Sequence, residues 1–196
     1  DVITVNDLTG TGVTQLALDL GATAGGTAGD GQPDTVIVNG TAANDAISVV
    51  MSGGSLVVKG LSEQLTIANA EPGDALVING LSGNDTIDAS SIRAGQVMLT
   101  LNGGDGDDVI KGSAGDDLVN GGRGNDTALL GAGNDTFVWN PGDGSDTVEG
   151  QGGTDTLLFN GANVNENINI SANGSRVRFT RDVANLGIAA YMLGYP

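Results

Sequence analysis

The sequence predicts an all-β chain wound as a parallel β-solenoid, a β-roll or β-helix. Three features point there. From Gly103 to Leu158 the chain reads in nines, each unit opening with a Gly-rich turn and closing with a short apolar run. Upstream, strand-like runs begin near residues 35, 46, 55, 65, 75, 86 and 96, close to the same spacing. The composition suits a thin core between two closely stacked sheets. Of 196 residues 34 are Gly, yet 39% are hydrophobic and only 3% aromatic, so Val, Ile, Leu and Ala must fill the interior.

Taken in order, Val2-Ile3-Thr4-Val5 and Gln15–Leu20 alternate as strands. Residues 21–33 are mostly Gly, Ala, Thr and Asp without apolar periodicity, a surface excursion ending at Pro33. From residue 34 a longer repeat emerges: Asp34–Ile47 matches Asp74–Ile87 forty residues later, and each copy ends in a nonamer, Gly40–Ser48 and Gly80–Asp88. The first has Ala43 where the pattern asks for Gly; the second keeps Gly83, Asn84 and Asp85. Ser48–Met51, Ser55–Val58, Leu65–Ile67 and Gln96–Leu101 are further strands. Residues 1–100 therefore read as a degenerate solenoid that runs into the regular one, with a separate antiparallel sandwich as the rival reading.

Residues 101–160 hold the regular repeat. Six nonamers begin at Gly103, Gly112, Gly121, Leu130, Pro141 and Gly150, with the frame shifted once by Trp139-Asn140. Position four is always Gly and position six always Asp: Asp108, Asp117, Asp126, Asp135, Asp146 and Asp155. Position eight is Ile110, Val119, Ala128, Phe137, Val148 or Leu157. Side chains on a strand alternate, so position eight faces in while seven and nine face out. Two nonamers then make one flattened coil of turn, strand, turn and strand. Asp and Asn can hydrogen-bond their own turn backbone, but that alone leaves carboxylates stacked at roughly 5 Å strand spacing with no counter-ion.

This pattern resembles the RTX repeat, G-G-x-G-x-D-x-U-x with U apolar, of bacterial calcium-binding proteins. The resemblance implies Ca²⁺ held between stacked Gly-Asp turns, with Asp108 set against Asp126 and Asp117 against Asp135. Carbonyls of Gly104, Gly106, Gly115, Gly122, Gly124, Gly131 and Gly133 would complete the shell, since Ca²⁺ takes six to eight oxygens of mixed type. Asp146 and Asp155 are further candidates beyond the frame shift, and Asp85 is one in the upstream nonamer.

Residues 161–196 lose the pattern. Ile168–Ile170 and Arg176–Thr180 read as strands, and residues 182–196 as a cover for the solenoid end, where an edge would otherwise lie open. Arg176, Arg178 and Arg181 offer either an acidic-partner site or simple charge balance; the second reading is the simpler.

Charge and missing residue types exclude much. Seven Lys and Arg against 24 Asp and Glu give −17, unsuited to nucleic acid or anionic membrane. Without Cys there is no disulfide or thiolate metal site. Without His there is no Ser-His-Asp triad or H-E-x-x-H zinc site. No apolar run reaches membrane-spanning length. The chain is expected to be non-enzymatic, a piece of a larger secreted or cell-surface protein that folds on binding calcium outside the cell, as the resemblance implies. The alternatives are an accessory module of a secreted protease, lipase or alginate epimerase, or a stalk segment of an adhesin. No groove marks a glycan or cell-surface partner.

Overall fold

The computed structural model describes the backbone of residues 1–173, 176–183 and 186–193, and the side chains of residues 1–172 and 177–180. Every regular element among them is a strand. One sheet is parallel throughout. Its order is β1 (Val2–Val5), β3 (Thr35–Asn39), β7 (Ala75–Ser82), β9 (Met98–Asp105), β11 (Asp117–Arg123), β13 (Thr136–Trp139) and β15 (Thr156–Phe159).

The second sheet faces it. Its parallel centre is β4 (Ala46–Ser52), β8 (Thr86–Asp88), β10 (Val109–Lys111), β12 (Thr127–Leu129) and β14 (Thr147–Glu149). At one end it continues into β5 (Ser55–Lys59), β6 (Gln64–Ala68) and β2 (Gln15–Asp19). At the other it continues into β18 (Leu186–Leu193), β17 (Arg176–Val183) and β16 (Asn167–Asn173). Strands from residues 1–100 and from the regular repeat thus share both sheets. No helix among the described residues is long and apolar enough to cross a membrane.

The period-two pattern sets the core. Position-eight residues Ile110, Val119, Ala128, Phe137 and Val148 are buried, and Val36, Val38, Ile47, Leu76, Ile78, Ile87, Leu99 and Leu101 continue the same apolar layer upstream. Leu157 is partly buried against it. At the far end the layer becomes aromatic. Trp139 stacks on Phe159 at 5.2 Å between ring centroids, and Phe159 meets Phe179 at 4.7 Å. The Trp139-Asn140 insertion lengthens the coil from 18 to 20 residues and places the indole inside this cluster, with its Nε1 donating to the Gly144 carbonyl.

One upstream expectation needs correction. Strands spaced by about ten residues were expected to wind as successive coils, but β4, β5 and β6 pair antiparallel. Gly53 and Gly54 both have positive φ between the paired Ser52 and Ser55, the two-residue hairpin geometry that Gly-Gly favours. The chain therefore folds back twice within one sheet before starting β7, which is why the upstream coil is 40 residues long. Residues 21–33 form a largely exposed excursion, as expected, held by an isolated bridge between Gly21 and Gly29 and by hydrogen bonds from the Gly31 amide to Glu71 and from Asn69 to the Gly26 carbonyl. Strands β16 and β17 span the two predicted C-terminal runs, and β18 pairs along β14. The side chains of Arg176, Arg181 and residues 182–196 lie outside the described set.

In so thin a core, a single large side chain carries much of the packing. Phe137→Ala is expected to cost about 3–5 kcal/mol, whereas Met98→Ala, at an exposed outer position, should stay within about 0.5 kcal/mol. Denaturant unfolding of both variants in calcium checks this.

Candidate metal centre

The turns between the sheets stack in two columns. In one, the position-six residues are Asp45, Asp85, Asp108, Asp126 and Asp146. Each amide donates to the carboxylate one coil on: Asp45 N–H to Asp85 Oδ1 at 2.7 Å, Asp85 to Asp108 at 2.7 Å, Asp108 to Asp126 at 2.8 Å and Asp126 to Asp146 at 3.0 Å. In the other, Asp117 N–H reaches Asp135 Oδ1 at 2.8 Å and Asp135 reaches Asp155 at 3.1 Å. The stacking expected of Asp108 on Asp126 and of Asp117 on Asp135 is present. The frame shift does not break either column.

Each ladder bond uses one carboxylate oxygen. The second oxygen of Asp85, Asp108, Asp126, Asp135 and Asp146 is buried and has no hydrogen-bond partner. A buried, unpaired carboxylate oxygen is costly and calls for a proton or a cation. The surroundings are rich in oxygen. A Cβ on Gly103 would meet Asp108 Oδ2 and the Gly121 carbonyl, and one on Gly80 would meet Asp85 Oδ2 and the Gly103 carbonyl. Gly106 lies against the Gly83 carbonyl and Gly124 against the Gly106 carbonyl, an approach no side chain would allow. Of the other named glycines, Gly104 and Gly122 are register partners, Gly131 lies against the Ser113 carbonyl and Gly133 against the Gly115 carbonyl. Among the described residues no three acidic side chains gather at one point. The donor set is one or two carboxylates with carbonyls, which fits a hard cation such as Ca²⁺ and not a soft one.

Burial sets the electrostatics. It pushes the Asp108 carboxyl up to about 6 and those of Asp126, Asp135 and Asp146 up to about 7, with neighbouring carboxylates adding to the rise and the ladder amides opposing it. Burial also raises Asp85, Asp117 and Asp143.

The sequence reading missed a second ladder. Position-five side chains also accept amides from the adjoining coil: Asn44 Oδ1 from Asn84, Asn84 Oδ1 from Asp107, Asp107 from Asn125, and Asn125 from Ser145. The recurring Asn or Asp at that position was the available signal. An amide ladder through Asn6, Asn39, Asn79 and Asn102 along the parallel sheet also went unread.

These carboxyls bind protons more readily folded than unfolded, so without calcium they stabilise the fold at low pH. That contribution fades as pH rises from the ordinary 3.8 through about 7. In chelator the chain should hold more β structure at pH 5 than at pH 7.5, and in saturating calcium it should melt at a higher temperature at pH 7.5 than at pH 5. Asp126→Asn should lower the melting temperature in calcium at pH 7.5. Circular dichroism in chelator and thermal scans in calcium, each at both pH values, read this.

Comparison with known families agrees with the geometry. The family model described as the RTX calcium-binding nonapeptide repeat matches in four copies over residues 77–91, 102–137 and 142–163. The matched residues include the Gly80 turn and leave out the Trp139-Asn140 insertion and the Gly40 turn. No curated protein matched the chain. Residues 77–163 are thus an array of RTX calcium-binding nonapeptide repeats, wound as a parallel β-roll.

Proposed function

We propose that this chain is a calcium-dependent folding segment of a larger secreted or cell-surface bacterial protein, without catalytic activity of its own. The observation that carries the reading is the set of five buried carboxylate oxygens without partners, one per turn, at Asp85, Asp108, Asp126, Asp135 and Asp146. These are the proposed carboxylate ligands, with Asp155 in the last turn and the carbonyls of Gly104, Gly106, Gly122, Gly124, Gly131 and Gly133.

Bound calcium supplies the positive charge and the coordination that these oxygens lack. The protein's own part is to line the oxygens up. The ladder amides hold one oxygen of each Asp so that the other is aimed into its turn, and the glycines let carbonyls of adjoining coils approach. At roughly millimolar ion and a Kd near 10⁻⁴ M, linkage gives about 1.4 kcal/mol per site. At cytosolic ion levels it gives almost nothing. Several coupled sites are then needed to offset the chain entropy of a thin core, and a stacked array supplies them. Such a chain stays unfolded inside the cell and folds once outside.

Isothermal titration of the whole chain tests the assignment. Calcium should bind with Kd values of about 10⁻⁴–10⁻³ M, and magnesium should give little heat. Asp108→Asn with Asp126→Asn should weaken calcium binding about tenfold or more. An unchanged calcium isotherm in that double variant would remove these residues from the ligand set.

A further inference from the structure

The residue at position two sorts the turns into two kinds. In the turns beginning at 80, 103, 121, 130, 141 and 150 its φ is positive, at Leu81 (79°), Gly104 (119°), Gly122 (94°), Gly131 (108°), Gly142 (108°) and Gln151 (67°). Leu and Gln rarely adopt this conformation, which costs them about 1 kcal/mol or more. In the turns beginning at 40, 112 and 161, Thr41, Ser113 and Ala162 are not left-handed.

There the position-two amide turns inward onto the position-six carboxylate. Thr41 donates to Asp45 Oδ2 at 2.7 Å, Ser113 to Asp117 Oδ2 at 2.5 Å, and Ala162 to Glu166 at 3.1 Å. The Ser113 hydroxyl adds a bond to Asp117 Oδ1 at 2.9 Å and itself accepts the Gly115 amide; Thr41 repeats both contacts with Asp45 and Ala43. The contrast with the first kind is sharp. Asp85, Asp108, Asp126, Asp135 and Asp146 each keep a buried oxygen without a partner, and all five belong to turns with positive φ at position two. Asp117 is as buried as a ligand would be, yet both its oxygens are taken.

The two kinds are not scattered. Along one column the order is closed at 40, open at 80, 103, 121 and 141, and closed at 161, which stacks on 141 through Asn160 and Asn140. In the other column the 112 turn is closed and the 130 and 150 turns are open; the 112 turn packs on the 89–97 segment, whose Ile92 carbonyl accepts the Ala114 amide. The 89–97 segment before the 112 turn carries no acidic residue, so that turn lacks the carboxylate an interior turn would find one coil back. Closing such a turn on itself satisfies its carboxylate oxygens without an ion.

We infer that position two decides whether a turn takes a calcium ion or closes on itself, and that Ser113 keeps the 112 turn out of the ion-binding set by occupying Asp117. This rests on the calcium reading proposed above and adds to it which turns are used. A glycine at 113 frees the backbone to flip and removes the hydroxyl; an alanine removes only the hydroxyl and leaves the amide bond.

Native mass spectrometry of the calcium-loaded whole chain counts the ions directly. Ser113→Gly should carry one ion more than the wild type, Ser113→Ala the same number, and Asp117→Asn the same number. Asp126→Asn should carry fewer and calibrates the loss of a site. An unchanged count in Ser113→Gly, or a lost ion in Asp117→Asn, would overturn the inference while leaving calcium binding by the array intact. A wild-type chain that carries no calcium would overturn the calcium reading itself, and this inference with it.

Discussion

The structure turns on one hydrogen bond repeated along each edge: a position-six amide donating to the carboxylate one coil away. That bond fixes the stacking distance, orients each Asp side chain and uses one of its two oxygens. The other oxygen is left facing carbonyls in a space that excludes water. Four such bonds link Asp45 through Asp146 without interruption, across coils of 40, 23, 18 and 20 residues. Coil length varies while the ladder persists, so the turn geometry dictates the winding and the intervening chain adapts to it. The 40-residue coil absorbs its extra length in an antiparallel hairpin; the 20-residue coil absorbs two residues by inserting Trp139 into the core.

The same arrangement explains why so thin a core coexists with so acidic a sequence. Each coil contributes only a few inward side chains, mostly aliphatic, and nearly every turn adds a buried carboxyl. Hydrophobic burial and electrostatic cost rise together with every coil, so the array gains little stability from length alone. A cation shared between turns changes the sign of the second term and makes lengthening favourable. Proton uptake relieves the same cost by another route, which is why pH and calcium act on the same residues.

Much of this was legible in the residues. Glycine at position four, aspartate at six and an apolar residue at eight are demanded by close backbone approach, carboxylate placement and burial, and each leaves its mark every nine residues. Asp85 was legible for the same reason. The hairpin at Gly53-Gly54 went unread although the Gly-Gly pair favours one, because β5 and β6 fall at the spacing of solenoid strands and strand direction leaves no trace in spacing. The position-five ladder was missed because Asn44, Asp107 and Asn125 read equally well as ordinary turn formers. The difference between Asp117 and Asp135 was hidden for a subtler reason. Both sit at position six, and what separates them is the backbone conformation of Ser113 and Gly131, four residues earlier.

The claim that the carboxylate columns need a cation is tested most directly by far-ultraviolet circular dichroism of the whole chain, titrated with calcium from a chelator-treated start. The account predicts a cooperative rise of β signal at about 10⁻⁴–10⁻³ M calcium, with no comparable response to magnesium. A spectrum already rich in β structure in chelator, and unmoved by calcium, would contradict it: the apolar layer would then hold the coils together against the repulsion of their own carboxylates.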